Sequence, residues 1–257
     1  MSISMDRIAD VKQMDALLGS VLRRGTLTNC PLPGAELRRA AEAGELAYER
    51  WDGGLCILRD CGGFYRVSYY VTDPAAEFSP AWDMDAVVEG AYSEAMDAFW
   101  RGAGFEFRFH RYRLSRAACE GASEELPEPE RVGAAEALGL LEAAFDRRTG
   151  CLPDMETLEW GSSERLMLSR RGAGGELEAL LNVKRERRSY EIRQLAVSER
   201  ARGKGLAQSL VEEFIARYGS SQLLVWVRDD APAARHIYEK YGFRADGRET
   251  AVWLRKG

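Results

Sequence analysis

The chain has 257 residues, 46% apolar and 30% charged, a balance that excludes a disordered tail or a fibre and allows one large domain or two of ordinary size. A net charge of -5 argues against a general nucleic-acid surface, and the longest purely apolar strand candidate, Leu223 to Val227, falls far short of a membrane span. Five cysteines in no zinc-like spacing and only two histidines, His110 and His236, leave little material for a metal site or a catalytic triad.

Residues 1–25 carry Asp6, Arg7, Asp10, Lys12 and Asp15, so no apolar signal-peptide core can be drawn there, and free thiols in a reducing cytoplasm are expected. From Asp6 to Leu22, apolar residues recur at three- and four-residue intervals, which predicts an amphipathic helix packed on a sheet. A second helical stretch, Ala35 to Ala43, leads into strand-like runs at Leu46–Trp51, Leu55–Leu58 and Phe64–Val71, divided by Asp52-Gly-Gly and Cys61-Gly-Gly turns. A Glu- and Pro-rich segment, 117–130, interrupts the pattern and reads as a linker.

Beyond the linker the order repeats. A helix is predicted over Val132–Phe145, strands near Arg165–Ser169, Leu177–Val183 and Tyr190–Val197, a helix over Leu206–Tyr218 and a strand over Gln222–Val227. Phe99-Trp-Arg-Gly-Ala-Gly-Phe105 and Ile237-Tyr-Glu-Lys-Tyr-Gly-Phe243 end the two halves in similar fashion, which favours an internal duplication.

Between the Tyr190–Val197 strand and the following helix lies Ser198 to Gly205. A strand that passes through a glycine loop into a helix N-terminus presents unpaired N–H groups and a positive dipole end, a setting suited to a pyrophosphate. Walker A fails here, because Ser198 stands where its first glycine belongs and Gly205 where its Ser or Thr belongs. The dinucleotide fingerprint fails at Gln208.

The segment Arg200-Ala-Arg-Gly-Lys-Gly205 instead resembles the Gln/Arg-x-x-Gly-x-Gly/Ala signature of the GNAT superfamily of N-acetyltransferases, and the strands around it and Tyr238-Glu-Lys-Tyr-Gly-Phe243 are similar to that family's flanking elements. The resemblance is strong from Arg131 on and weak before it. It implies an α/β fold of two GNAT-like domains, each a mixed, mostly antiparallel sheet flanked by helices: residues 1–116 a degenerate copy, 117–130 the linker and 131–257 the catalytic copy. It also implies acetyl-CoA (acyl-CoA) as co-substrate, with no metal. The backbone of Leu195, Ala196 and Val197 would pair with the pantetheine arm. Arg200, Arg202, Gly203, Lys204, Gly205, Leu206 and Ala207 would hold the pyrophosphate, with the two glycines letting it approach the backbone.

Acyl transfer to an amine needs the amine neutral, and a lysine-like pKa near 10.4 puts that form about 4 kcal/mol uphill at neutral pH. Glu191 is the candidate general base: it stands six residues before Val197, and strict alternation puts it on the face of Leu195 and Val197. Its other use is a carboxylate paired with Arg193. Asp154, Glu159 and Glu178 are substitutes. Tyr238 matches the family tyrosine that serves the departing thiolate, its other use being a core aromatic. Ala231 departs from the Asn that the family often carries there. His236 reads as a helix-surface residue, and Cys151 as inert packing or a neighbour of the acceptor.

The first half has no Gly-x-Gly after its third strand, Pro74 and Pro80 where a phosphate-binding helix should begin, and Trp100 in place of Tyr238, so no acyl-CoA turnover is expected there. Trp51, Trp82, Tyr92 and Trp100 are left either to line an acceptor pocket or to pack a core. The acceptor is expected to be an amine-bearing small molecule, peptide or protein, with no nucleic-acid or membrane partner. The competing class is a non-catalytic acyl-CoA-binding sensor.

Overall fold

The computed structural model describes residues 5–119, 121 and 126–257. The chain divides into two compact units, one formed by the residues up to His110 together with Glu249–Gly257, the other by Arg111–Arg248. In chain order the first unit contains β1 (Asp6–Arg7), α1 (Val11–Val21), β2 (Leu27–Thr28), α2 (Ala35–Glu42), β3 (Leu46–Trp51), β4 (Gly54–Asp60), β5 (Phe64–Val71), β6 (Asp85–Gly90) and α3 (Glu94–Gly102). Strand β7 (Glu106–Arg116) then carries the chain into the second unit. There follow α4 (Ala134–Ala144), α5 (Met155–Ser163), β8 (Met167–Arg171), β9 (Leu177–Arg185), β10 (Ser189–Val197), α6 (Leu206–Tyr218), β11 (Gln222–Arg228) and α7 (Pro232–Lys240). Strand β12 (Arg244–Arg255) returns the chain to the first unit.

The strand order is β1-β3-β4-β5-β6-β12 in the first unit and β7-β11-β10-β9-β8 in the second. Neighbours are antiparallel except β5 with β6 and β10 with β11, which are parallel. Each unit is closed by a strand from the other half of the sequence. Residues 111–116 of β7 pair with β11, and residues 251–255 of β12 pair with β6.

The expected boundary at 117–130 therefore differs from the division at His110 and Arg248. Proline and glutamate mark where local pattern is lost, whereas long-range pairing decides which sheet a strand joins. Residues 120 and 122–125 of that segment lie outside the described residues, but its end is docked on the second unit. Val132 is fully buried, Arg171 pairs with Glu130 at 2.9 Å, and Arg165 donates to the Pro129 carbonyl at 3.0 Å.

Helix α1 begins later than the periodicity suggests, because Asp10 caps it by accepting from the Gln13 amide at 2.7 Å. Ile8, counted with the helical stripe, is buried from the residues ahead of the cap. Helix α5 is absent from the sequence reading, since only Leu158 and Gly161 of its nine residues are buried. In the second unit α6 and α7 cover one sheet face, over Leu168, Ala179, Leu181, Ile192 and Val225, while α4 and α5 cover the other, over Met167, Leu180 and Ala196. Among the described residues no helix is long and apolar enough to cross a membrane.

Candidate active site

The parallel pairing of β10 with β11 covers only Ser189–Ile192 against Gln222–Val225. Beyond it β10 continues to Val197 and β11 to Arg228 as separate strands, each paired only on its outer side, β10 with β9 and β11 with β7. Leu195, Ala196 and Val197 thus border an opening in the sheet. A strand edge there has backbone donors and acceptors that need a partner.

The chain leaves the opening through Ser198 and a short turn at Glu199–Ala201, then reaches Gly203 and Gly205. Both glycines are left-handed, at φ 79° and 78°, and a Cβ on either would meet no atom within 4 Å. Conformation, not crowding, requires glycine there, and the space above them is open. Gly205 is the N-cap of α6 and offers no side chain to the first amides, so the positive end of the helix faces that space uncapped. The Ser198 hydroxyl is buried without a hydrogen-bond partner among the described residues. Of the basic residues, Arg200 leans on Glu176 at 3.3 Å and Lys204 on Glu178 at 2.9 Å; Arg202 is exposed and makes no ion pair among the described residues. Leu206 and Ala207 are half-buried in the first turn of the helix.

Glu191 lies at the penultimate paired position before the opening, opposite Leu224. It does not share a face with Leu195 and Val197. A β-bulge between Ile192 and Gln194 adds a residue to β10, with Arg193 turned outward. The extra residue shifts the alternation: Tyr190, Ile192, Leu195 and Val197 face α6 and α7, while Glu191, Gln194 and Ala196 face the other way. Glu191 is 9% exposed, accepts a hydrogen bond from Arg193 at 3.0 Å, and lines a cavity of about 540 Å³ with Leu224 and Arg113. The substitutes are engaged elsewhere or exposed. Asp154 caps α5 through the Thr157 amide, Glu178 holds Lys204, and Glu159 is exposed.

Tyr238 is buried on the α6/α7 side, in the cluster that includes Val227, Leu195 and Val197, with its ring edge-on to Phe243 at 5.8 Å. Burial pushes its phenol well above the usual tyrosine range, so the hydroxyl keeps its proton at any physiological pH. Glu191 and Tyr238 therefore stand on opposite faces of the sheet. Ala231 is the N-cap of α7 and makes no side-chain cap, and His236 is exposed.

Sequence reasoning missed a buried amide pair on the Glu191 face. Asn182 donates to Gln194 Oε1 at 2.8 Å, and Gln194 Nε2 donates to the Cys151 carbonyl at 2.9 Å. Cys151 itself is left-handed, at φ 50°, and Arg111 donates to its sulfur at 3.6 Å. These contacts tie the loop between α4 and α5 to the sheet. The available signal was one polar residue within each of two apolar strands.

The first unit has the same parallel pair, and there the opening is filled. Pairing of β5 with β6 also covers four residues, Phe64–Val67 against Asp85–Val88. Strand β2 then pairs with the free edge, Leu27 with Val71 and Thr28 with Tyr70. At the apex, Asn29 donates to the carbonyls of Val67 and Glu89 at 3.0 and 2.8 Å and accepts from the Tyr69 amide at 2.9 Å. A Cβ on Gly90 would fall 2.2 Å from the Tyr69 hydroxyl, so that ring, too, packs into the gap. No helix stands between β5 and β6, where Pro74 and Pro80 lie. Trp82 and Trp100 are buried in the core and Trp51 stacks on Phe78 at 4.2 Å, so these three pack rather than line a pocket; Tyr92 is 38% exposed.

Residues 171–245 match a family model described as an acetyltransferase (GNAT) domain, and no curated protein matches the chain. Among solved structures, a GCN5-related N-acetyltransferase from Sphaerobacter thermophilus has a TM-score of 0.57 at 16% identity, covering 88% of this chain and 86% of that one. A GNAT-family acetyltransferase from Colwellia psychrerythraea gives 0.51 at 12% identity over 100% of each chain. A GCN5-related glucosamine N-acetyltransferase region in a fungal multi-domain GH3 β-N-acetylglucosaminidase gives 0.61 at 11% identity, over 98% of this chain and 38% of that one. Identities this low speak to the fold alone. The family match covers β9, β10, the glycine loop, α6, β11 and α7, so residues 171–245 are a GNAT-type domain by sequence, and the solved structures add a GNAT-like fold.

Proposed function

We propose that the chain is an acyl-CoA-dependent N-acyltransferase that works only in its second unit, transferring an acetyl or related acyl group to a primary amine. The observation that carries this reading is the separation of β10 from β11 after four paired residues, immediately ahead of a double-glycine turn and an uncapped helix. A pantetheine arm has two amides at strand-like spacing, which suits the unpaired edge of Leu195, Ala196 and Val197. A pyrophosphate suits the α6 N-terminus, with the amides of Arg202 to Ala207 as donors and Arg200, Arg202 and Lys204 around it. The partnerless Ser198 hydroxyl between the two segments is a further polar group for the same ligand.

In this arrangement the thioester reaches the apex of the opening beside Glu191. Glu191 takes the proton from the acceptor's ammonium group, and the neutral nitrogen attacks the thioester carbonyl carbon. The carbon–sulfur bond then breaks with its electron pair on sulfur, and the second proton, shed by the nitrogen as it becomes an amide, passes to that sulfur. Tyr238, whose hydroxyl stays protonated, donates a hydrogen bond to the departing thiolate from the opposite face. Direct attack in a ternary complex needs no protein nucleophile, in keeping with the scarcity of histidine.

The test is incubation with acetyl-CoA and a panel of amines, following free thiol. Acceptor-dependent thiol release is the expected result. Tight CoA binding without release across a broad panel would turn the reading to an acyl-CoA sensor.

A further inference from the structure

The cavity beside Glu191 lies at the turn that joins β9 to β10, and its walls are charged. Besides Glu191 and Leu224, it is lined by Arg113, Glu186, Arg187 and Arg188. Three of these charges are already answered. Arg113 pairs with Asp246 at 2.6 Å, Glu186 with Lys184 at 2.6 Å, and Glu191 with Arg193 at 3.0 Å. Arg187 and Arg188 are exposed and form no ion pair or hydrogen bond among the described residues. The cavity therefore carries two uncompensated guanidinium groups within the same walls as the candidate base.

We infer that the acceptor is an amine carrying its own anionic oxygen group, a carboxylate or a phosphate, which Arg187 and Arg188 bind while the amine meets Glu191. This rests on the acyl-transfer reading above and names its substrate class. An acceptor with only an ammonium group would be repelled by the two cations. One with an anion in the same molecule is held by charge-assisted, bidentate hydrogen bonds of the kind guanidinium groups form with planar oxyanions. A volume of about 540 Å³ is in the range of a small-molecule site. The run Lys184-Arg-Glu-Arg-Arg188 becomes the specificity element.

The test uses matched acceptors that differ only in the anion: amino acids against their amides, and amino sugars against amino sugar phosphates. Thiol release from acetyl-CoA is followed for the wild-type chain and for Arg187→Gln/Arg188→Gln, and acceptor binding to the CoA-saturated protein is measured by calorimetry. The expected result is a preference in kcat/KM for the anionic member. In the variant, its KM rises about ten- to a hundredfold, as expected for the loss of a charge-assisted bond, with the uncharged member and the acetyl-CoA affinity unchanged. Whether amino acids or sugar phosphates lead tells carboxylate from phosphate. Equal kcat/KM within each pair, or a preference that survives in the variant, overturns the inference while leaving acyl transfer standing. If no amine releases thiol but anionic amines bind in an arginine-dependent way, the acyl-transfer reading falls and the acceptor assignment with it, leaving only an anion-binding site; absence of both turnover and binding removes both.

Discussion

The two units contain the same device, a parallel strand pair that separates after four residues, and treat it in opposite ways. In the first unit the separated edge is satisfied from within the chain, by β2 along β5 and by the Asn29 amide at the apex. In the second, among the described residues, no strand pairs with Leu195–Val197 on that side, and the chain runs on into glycines and an open helix end. An unpaired backbone edge is costly wherever water is excluded, so a gap of this kind calls for a chain segment or a ligand. The first unit has taken one solution and the second has kept the other available. The first unit also has no helix between β5 and β6, and so lacks the open helix N-terminus that follows β10 in the second.

Five substitutions break or sharpen that contrast. The largest expected effect is Glu191→Gln, which should lower kcat/KM by about 10² to 10⁴ while acetyl-CoA affinity holds. Steady-state rates check it, and an unchanged kcat/KM would reassign the base. Next, Gly203→Val or Gly205→Val forces a β-branched residue into a left-handed turn and covers the helix N-terminus. An acetyl-CoA Kd raised about tenfold or more is expected by calorimetry.

Asn29→Ala acts on the other unit. It leaves three backbone groups without their partner and should cost about 2 kcal/mol or more in denaturant unfolding, with no second acyl-CoA site gained. The smallest effect concerns Glu49, 1% exposed on β3. Burial raises its pKa, against the opposing pull of the Ala81 amide and the Arg255 charge. A carboxyl whose folded pKa lies above its unfolded one favours folding in its protonated form. Stability should therefore decline as pH rises from the ordinary carboxylate range through the raised value, then level off. Melting temperatures of the wild-type chain and Glu49→Gln across that range check it; the variant should lack the decline.

Much of the second unit was legible because its signals are local. Helical periodicity, glycine spacing and the Tyr238-to-Phe243 joint can each be read within a dozen residues, and α4, α6, β10 and β11 lie where these predict. The bulge at Arg193 was not legible, since nothing in Ile192-Arg-Gln194 distinguishes an extra residue from regular alternation, and it moved Glu191 to the other face. The exchange of β7 and β12 was hidden for a related reason: a strand's sequence states that it pairs and not with which sheet. Asn29 gives no local signal, because its role exists only through residues 38 and 60 positions away.

Titration of acetyl-CoA into the intact chain, the Gly203→Val variant and the Asn29→Ala variant tests the contrast most directly. One site per chain, weakened by Gly203→Val and indifferent to Asn29→Ala, is the predicted result. Two sites in the wild-type chain, or a single affinity that Gly203→Val leaves untouched, would contradict it.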